Sequence, residues 1–351
     1  MKKGSEKPKK LRIGVVGLKH GASHVETILK RDDMDLVAVC DIDVEKCRKA
    51  VDSCGLPDVK SFNDYSRMLS EAKLDAIVIA TPLPTHAELS IMALERNIHV
   101  LLEKPLASNL EEACRIKEAA GRAKCVCQIG YRASSSPLVR KILQLIKSGE
   151  LGEVVMIWAH LFRGPGYMVE WRKNPVHGAG QFFDCMVHEF NDMFEFAGAD
   201  FSRVCAFGAP VRQVGASQEM PETVSANIEF QNGVRASAAF SQVSATYRNN
   251  MFGVVGTKGR VDVDPYFPEG PGSFDLFTDN GLFRTKVVIS KEKASSGHIG
   301  FEEQYDFFVK SIREGAPVIC DVEKALKTQR MMEAFNISIK EGRIVARDEF
   351  K

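Results

Sequence analysis

The chain has 351 residues, and its 47 basic and 46 acidic side chains give a formal net charge of +1. This balance argues against nucleic acid or a membrane surface as the partner and favours a small molecule. The length exceeds the size at which a single core usually keeps growing, so we expect two domains.

The ends and the cysteines of the chain predict a cytoplasmic protein. No apolar run is long enough to span a bilayer, and the basic start MKKGSEKPKK lacks the apolar region and cleavage site of a signal peptide. We interpret residues 1–10 as a solvated tail. Nine scattered cysteines, with CVC the only tight pair, fit neither a disulfide framework nor a zinc ligand set. They predict reduced, mostly buried thiols.

The first part of the chain alternates short apolar runs with segments of helical periodicity. The runs are continuously apolar, which indicates strands buried on both faces, as in a parallel sheet covered by helices. In chain order they are LRIGVVG, DLVAVCD, DAIVIATP, HVLLEKP and CVCQIG. The fold class predicted for this part is α/β.

After about residue 150 the pattern changes to longer strands such as EVVMIWAHLF, TVSANIEF and VRASAAFSQV. Asn232-Gly233 and Asn280-Gly281 mark hairpin turns, which indicates antiparallel sheet. Helices are predicted over 182–196, 301–313 and 322–340. We therefore predict an α+β second domain, and we divide the chain into residues 1–132 and 133–351.

The segment IGVVGLKHGASH, residues 13–24, is close to the G-x-G-x-x-G fingerprint but has Lys19 where the second glycine stands. Gly21 follows Gly17 by four residues instead of five, so we interpret the segment as a shortened loop that does not require glycine at position 19. Lys19 and His20 either add positive charge near bound phosphates or are simply solvated.

The surroundings of this loop predict a dinucleotide site. A buried strand enters the loop, a helix begins near Ala22, and Asp41 ends the next strand, 24 residues after Gly17. In this arrangement helix N–H groups hold a pyrophosphate, and a carboxylate accepts hydrogen bonds from the adenosine ribose. The alternative is a glycine turn that only lets a strand meet a helix.

Four further stretches carry a family resemblance. They are ATPLPTHAELSIMAL (80–94), LLEKPLA (101–107), GYR (130–132) and GAGQFFDCMVHEFND (178–192). In this order and spacing they resemble the Gfo/Idh/MocA family, the relatives of glucose-fructose oxidoreductase and inositol dehydrogenase, over almost the whole chain. The E-K-P motif is the most specific of these signals, and GTKGRV and FFVKSIREGAPV agree with it.

The resemblance implies an N-terminal Rossmann domain and a C-terminal domain with a large open sheet. It also implies NAD(P)-dependent oxidation of a sugar or cyclitol hydroxyl, or the reverse reduction. Two other functions remain open. One is an NAD(P)-binding regulator without turnover, against which intact Lys104, Asp184 and His188 argue. The other is a glycosidase that uses bound NAD for transient oxidation.

Lys104 is the first predicted catalytic residue. It follows a strand that ends at the carboxyl edge of the parallel sheet, beside the crevice where such sheets place ligands. An ammonium there hydrogen-bonds the reacting oxygen and stabilises its developing charge. The alternative is an ordinary surface lysine.

Asp184, His188 and Asp192 are spaced by four residues and so share one helix face. By resemblance, His188 is the acid/base, Asp184 orients the substrate or couples to Lys104, and Asp192 is either structural or supports a residue that contacts the substrate. A core histidine held by carboxylates is one alternative. A metal site is another, but HEFND is not H-E-x-x-H and no third strong ligand is evident, so we predict no metal.

The remaining site predictions are weaker. Thr81, Pro82 and His86 follow the fourth strand, where the family's cofactor contacts lie, although His86 is equally compatible with a helix-start residue facing water. Of the polar and aromatic residues suited to a polyol, we expect two or three of five near the substrate: Arg132, Tyr167, Trp171, Arg172 and His160. The predicted substrate-binding set is Lys104, Arg132, Tyr167, Trp171, Arg172, Asp184 and His188.

The predicted cofactor is NAD rather than NADP. Asp41 is suited to both ribose hydroxyls and repels the extra phosphate of NADP, Asp43 adds a second acid, and no arginine stands immediately beside the site. The predicted cofactor-binding set is Gly17, Leu18, Lys19, His20, Gly21, Asp41, Ile42, Thr81, Pro82, His86, Glu103 and Lys104.

An oligomer is also predicted. In TVSANIEF one face carries Val224, Ala226, Ile228 and Phe230, while the other is polar, and VRASAAFSQV has a similar face of small residues. Relatives commonly pair this sheet across subunits, so we expect a homodimer or homotetramer.

Overall fold

The computed structural model contains a parallel six-stranded sheet built from the first 129 residues. The residues that it describes are 9–55, 58–164, 180–210, 221–244, 248–263, 273–278, 281–289 and 300–350. The strands are β1 (Leu11–Val16), β2 (Met34–Cys40), β3 (Lys60–Phe62), β4 (Ala76–Ile79), β5 (His99–Leu102) and β6 (Cys127–Ile129). Their order is β3-β2-β1-β4-β5-β6, and every neighbouring pair is parallel.

Helices connect these strands and cover the sheet. They are α1 (Gly21–Leu29), α2 (Val44–Cys54), α3 (Tyr65–Glu71), α4 (His86–Leu94) and α5 (Leu110–Arg122). Local sequence signals set several of their ends. Asp43 caps α2 by accepting a hydrogen bond from the Glu45 amide, and Gly55 ends it in the left-handed conformation. Asn109 caps α5 in the same way as Asp43 caps α2.

The second sheet has nine strands. They are β7 (Val154–Arg163), β8 (Phe201–Ala209), β9 (Thr223–Phe230), β10 (Arg235–Ser241), β11 (Arg248–Gly256), β12 (Gly259–Val263), β13 (Ser273–Thr278), β14 (Phe283–Val288) and β15 (Val345–Ala346). Their order is β14-β13-β12-β11-β7-β10-β9-β8-β15. Only the β7–β10 pair is parallel among the described strands of this sheet.

Four more helices complete the described part of the chain. They are α6 (Pro137–Lys147), α7 (Gly180–Ala197), α8 (Glu303–Glu314) and α9 (Val322–Glu341). The predicted fold class, an α/β Rossmann part followed by an α+β part with a mainly antiparallel sheet, is confirmed. The hairpin at Asn232-Gly233 is confirmed as the β9–β10 turn, with Gly233 at φ +92°. Asn280 lies outside the described residues.

The nine-stranded sheet has one buried face and one open face. Along β9, Val224, Ala226, Ile228 and Phe230 are buried, while Ser225 and Asn227, on the other face, are exposed. The buried face packs against α7 and α9, where Phe182 meets Phe240 of β10 and Phe335 of α9. Alternation along the strands therefore fixes which side of the sheet α7 covers.

Helix α8 comes late in the chain but packs against the first sheet. Phe301, Tyr305 and Phe308 share a buried cluster with Ile13 of β1 and Val25 of α1. Because of this return, side chains from the C-terminal part of the chain reach the glycine loop. No helix among the described residues is both long and apolar enough to cross a membrane.

Candidate active site

The crevice between β1 and β4 lies where the order of the first sheet reverses direction, and their carboxyl ends open into it. Gly17 follows β1 with φ +85°, and a Cβ on it would stand 2.6 Å from the Ala80 carbonyl oxygen and 2.8 Å from Thr81 Cγ2. Only glycine allows both this backbone conformation and this close approach. The predicted shortened loop is thus held tightly against the turn that follows β4.

The N-terminus of α1 is suited to an anion. The helix begins at Gly21, one residue from the predicted position, and its first turn has no acidic residue. His20 precedes the helix without making a side-chain capping bond, and both Lys19 and His20 are exposed. Helix-start N–H groups without a side-chain cap bind a phosphate well, because they combine donors with the positive end of the helix dipole.

Asp41 stands at the end of β2 and is only 7% exposed. Its two carboxylate oxygens accept backbone hydrogen bonds from the Leu18 amide (2.7 Å) and the Asp43 amide (2.9 Å). The carboxylate is therefore fixed beside the glycine loop, as the ribose contact requires. Its neighbour Ile42 is 94% exposed, which leaves an apolar side chain next to the proposed adenosine position. Lys46 Nζ lies 3.6 Å from Asp41 Oδ1, a cation that we did not predict there.

The segment after β4 contacts both neighbouring loops. Thr81 packs on Gly17, and its hydroxyl accepts a hydrogen bond from Thr85 Oγ1 (2.7 Å), while Pro82 is exposed. The ring nitrogens of His86 lie 2.8 Å from the Pro105 carbonyl oxygen and 3.1 Å from that of Thr81. His86 is the first residue of α4, as expected of a helix-start residue, but it is 2% exposed, so the expectation that it faces water is wrong. It instead connects the Thr81 loop to the one after β5.

Glu103 is buried at the end of β5 and faces α1. Its Oε1 lies 3.1 Å from His24 Nε2 and 3.5 Å from His20 Nε2, and His24 Nδ1 lies 2.6 Å from the Tyr305 hydroxyl. Burial alone raises the pKa of Glu103, but hydrogen bonds from His20 and His24 outweigh it and hold that pKa well below its usual range. Burial also lowers the pKa of His24, although the hydrogen bond and the charge of Glu103 act in the opposite direction.

Lys104 and Asp184 join the two parts of the chain. Lys104 Nζ donates to the Asp184 backbone carbonyl (2.9 Å) and to its carboxylate Oδ1 (3.1 Å). The side chains are 17% and 13% exposed, so this ion pair is mostly shielded yet reaches the solvent. The structure thus brings together the two residues that the resemblance coupled.

His188 lies one turn after Asp184 on α7 and is half-buried. Its ring meets the fully buried Tyr131 ring edge-on, with centroids 6.1 Å apart. Asp192, one turn further, does not join this group, because its carboxylate accepts a hydrogen bond from the Ser134 hydroxyl. Burial raises the pKa of Asp192 well above its usual range.

The structure separates the remaining polyol candidates. Arg132 lies in the short 3-10 turn after β6, and its positive charge contributes to lowering the pKa of His24. His160 lies between Trp158 and Phe162 on the open face of the second sheet, opposite α7, so it is removed from the candidate set. Tyr167, Trp171 and Arg172 lie outside the described residues.

The sequence reasoning missed the part of the site that Tyr305 and His24 form. His24 lies within the glycine segment 13–24, and its spacing of four residues from His20 is a signal that the sequence contains. Nothing in the sequence pointed to Tyr305, which is 281 residues away from His24.

These features fit a dinucleotide. A glycine turn, an uncapped helix start and a fixed carboxylate stand around one crevice, and a shielded lysine–carboxylate pair lies at the end of a strand beside it. The fold and site together define a dinucleotide-binding protein with a parallel sheet and a second, mainly antiparallel sheet.

Comparison with known proteins agrees with a dinucleotide-binding fold and shows the family of the chain. Residues 11–131 match the Gfo/Idh/MocA family model described as "Oxidoreductase family, NAD-binding Rossmann fold", and residues 139–262 match the C-terminal domain model of the same family. An inositol 2-dehydrogenase of Arthrobacter sp. (strain FB24) is 30% identical over 73% of this chain and 75% of its own. A myo-inositol 2-dehydrogenase of Thermotoga maritima is 24% identical over 97% of this chain and 99% of its own.

A solved structure shows the same fold. The apo scyllo-inositol dehydrogenase of Lactobacillus casei superimposes with a TM-score of 0.83 at 20% identity, covering 98% of this chain and 100% of that one. The chain belongs to the Gfo/Idh/MocA family of NAD(P)-dependent oxidoreductases, as the sequence motifs indicated.

Proposed function

We propose that this protein is a dehydrogenase that oxidises one hydroxyl of a cyclitol or sugar with NAD, or performs the reverse reduction. The observation that carries the proposal is the Lys104–Asp184 pair at the carboxyl edge of the first sheet. The names of the inositol dehydrogenases that resemble the chain support the substrate class. When NAD is bound, it supplies the acceptor for the hydride of the alcohol carbon.

Lys104 is proposed to bind the reacting oxygen. An ammonium has three N–H donors, and the described contacts of Lys104 Nζ, both to Asp184, use two of them. The third is suited to the substrate hydroxyl, where it stabilises negative charge as the alcohol loses its proton. Asp184 holds the ammonium in place, and its own carboxylate is near enough to orient a neighbouring hydroxyl.

His188 is proposed to accept the hydroxyl proton. It lies on α7 one turn from Asp184, and an imidazole is the side chain best matched to proton transfer near neutral pH. The edge-on Tyr131 ring restricts the orientation of the imidazole. Arg132, Tyr167, Trp171 and Arg172 remain proposed substrate contacts.

The proposed cofactor contacts follow from the crevice. Gly17–Gly21 and the start of α1 receive the pyrophosphate, Asp41 the ribose and Ile42 the adenosine, while Thr81, Pro82, His86, Glu103 and Lys104 border the remaining length. NAD is proposed over NADP because the anchored Asp41 carboxylate repels an added phosphate. Lys46 is paired with the Asp41 carboxylate, so the positive charge of Lys46 is already partly compensated and is less available to a phosphate of NADP.

A panel of cyclitols and aldoses, assayed separately with NAD and NADP, tests the function and the cofactor preference together. We expect reduction of NAD with at least one polyol, at a kcat/KM at least about tenfold above that with NADP. The measurement is the absorbance of the reduced nicotinamide.

The same panel, extended by an aryl glycoside, separates the alternatives. Cofactor binding without reduction by any polyol would favour a regulator. Release of an aryl group from an aryl glycoside without net reduction of NAD would favour a glycosidase. A clear preference for NADP would contradict the role proposed for Asp41.

Replacing Lys104 with methionine keeps most of the side-chain bulk and removes the charge and the donors. We expect kcat on the best polyol to fall by about 100- to 1,000-fold, because one stabilising donor is lost in the transition state, while the Kd of NAD changes little. Lys147→Met, at an exposed lysine of α6, is the matched control. Near-normal kcat in Lys104→Met would remove the lysine from the mechanism.

We propose that the protein is a homodimer or homotetramer that pairs through the open face of the second sheet. Ser225 and Asn227 on β9 and Phe207 on β8 are exposed, and Phe207 is 65% exposed although it is aromatic. Light scattering at working concentration should give the mass of two or four chains. A mass of one chain would contradict the proposal.

The division of the chain and its location are proposals as well. Residues 1–132 contain all six strands of the first sheet and are proposed as the cofactor-binding domain, with 133–351 binding the substrate and forming the oligomer. The eight cysteines whose side chains are described are all free thiols, which supports a cytoplasmic location.

A further inference from the structure

Three side chains with metal-binding atoms meet where the glycine loop faces the end of β5. One ligand atom from each of His20, His24 and Glu103 lies within 4.8 Å of the others, the single such group found among the described residues. The group shares no member with Asp184, His188 and Asp192, for which the sequence had raised and rejected a metal, whereas His20 and Glu103 are also among the proposed cofactor contacts.

The distances in this group suit a tetrahedral transition metal. Zn²⁺ binds imidazole nitrogen and carboxylate oxygen at about 2.0–2.2 Å, which separates neighbouring ligand atoms by roughly 3.3–3.5 Å. Glu103 Oε1 lies 3.1 Å from His24 Nε2 and 3.5 Å from His20 Nε2. Two of the three separations therefore match a bound ion, and the nitrogens of His20 and His24 lie within 4.8 Å of each other, so a movement of the exposed His20 side chain completes the set.

Two separate elements, the start of α1 and the end of β5, supply the three ligands. His20 and His24 are four residues apart at the start of α1, the spacing with which helices present two histidines to one metal. Glu103 comes from the end of β5, 79 residues beyond His24 in sequence. An ion bound by all three would cross-link the glycine loop to the segment that carries Lys104.

Tyr305 provides the outer contact that metal-bound histidines normally have. A ligating imidazole usually donates its second ring N–H to an oxygen, which fixes its orientation. The Tyr305 hydroxyl lies 2.6 Å from His24 Nδ1. A neutral imidazole that binds a metal through Nε2 carries its proton on Nδ1, and in His24 that N–H would be placed to donate to the Tyr305 hydroxyl.

The donor set selects the kind of metal. Two imidazoles with one carboxylate suit Zn²⁺, Co²⁺ or Ni²⁺, whereas Mg²⁺ and Ca²⁺ prefer oxygen ligands. Arg132 places a positive charge near His24, so binding relies on strong metal–nitrogen bonds rather than on net charge. His24 and Glu103 are buried, but His20 is half-exposed and opens the group to solvent and to a water ligand.

We propose that His20, His24 and Glu103 form a binding site for one divalent transition-metal ion, with Zn²⁺ as its occupant and water as the fourth ligand.

The test is metal binding by the full-length protein after treatment with a chelator, in the absence of NAD, so the result does not depend on the proposed function. Zn²⁺ is titrated by calorimetry and Co²⁺ by visible absorption. We expect one equivalent of each ion and, for Co²⁺, the intense bands of a four-coordinate site. Zn²⁺ should also raise the unfolding temperature, because the ligands come together only in the folded chain.

Variants locate the ion. His20→Ala removes an exposed ligand that makes no helix-capping bond, so the variant should fold, and we expect its Zn²⁺ affinity to fall by at least about tenfold. Glu103→Gln should have the same effect, and Tyr305→Phe a smaller one. His160→Ala, at a histidine on the open face of the second sheet, is the matched control and should bind Zn²⁺ with wild-type affinity.

Two results would overturn the proposal. The first is wild-type protein that binds less than one equivalent of both ions, which would identify the group as a hydrogen-bonded triad alone. The second is unchanged Zn²⁺ affinity in folded His20→Ala, which would place the ion at other ligands such as the cysteines.

Discussion

The close approach of Gly17 to the turn after β4 is the constraint on which the site depends. No side chain fits between Gly17 and the Ala80 carbonyl, and the positive φ turns the chain sharply into α1. This turn directs the start of α1 into the crevice and brings Leu18 to the Asp41 carboxylate. It also places His20 and His24 against Glu103, next to Lys104. A larger residue at position 17 would disturb all of these contacts together.

Much of the fold was predictable because its signals are local. Continuous apolar runs indicated the buried parallel strands, and the Asn232-Gly233 turn indicated a hairpin. The coupling of Lys104 with Asp184 was available only through the family motifs, since the two residues are 80 positions apart. Their ion pair agrees with that expectation, and it links the parallel sheet to α7.

The sequence could not predict contacts between segments that are far apart along the chain. Tyr305 reaches His24 because α8 packs on the first sheet, and no periodicity in either segment specifies this pairing. Ser134 is joined to Asp192 across 58 residues because α7 packs against the 3-10 turn after β6. His86 was ambiguous because a helix start is compatible with solvent or with a core, and only its two carbonyl neighbours decide between them. The surroundings of Tyr305, Ser134 and His86 are determined by tertiary packing, and the local sequence around each residue does not specify that packing.

Calorimetric binding of NAD to the wild type, Gly17→Ala and Gly55→Ala tests the central claim most directly. Both glycines have positive φ, but a Cβ at Gly17 meets the Ala80 carbonyl, whereas one at Gly55 meets nothing within 4 Å. We expect NAD to bind the wild type and Gly55→Ala equally well, and its Kd for Gly17→Ala to rise by at least about tenfold, since the strain is of order 1–3 kcal/mol. Thermal unfolding establishes that each variant is folded. Wild-type affinity for NAD in folded Gly17→Ala would contradict a cofactor site built on this loop.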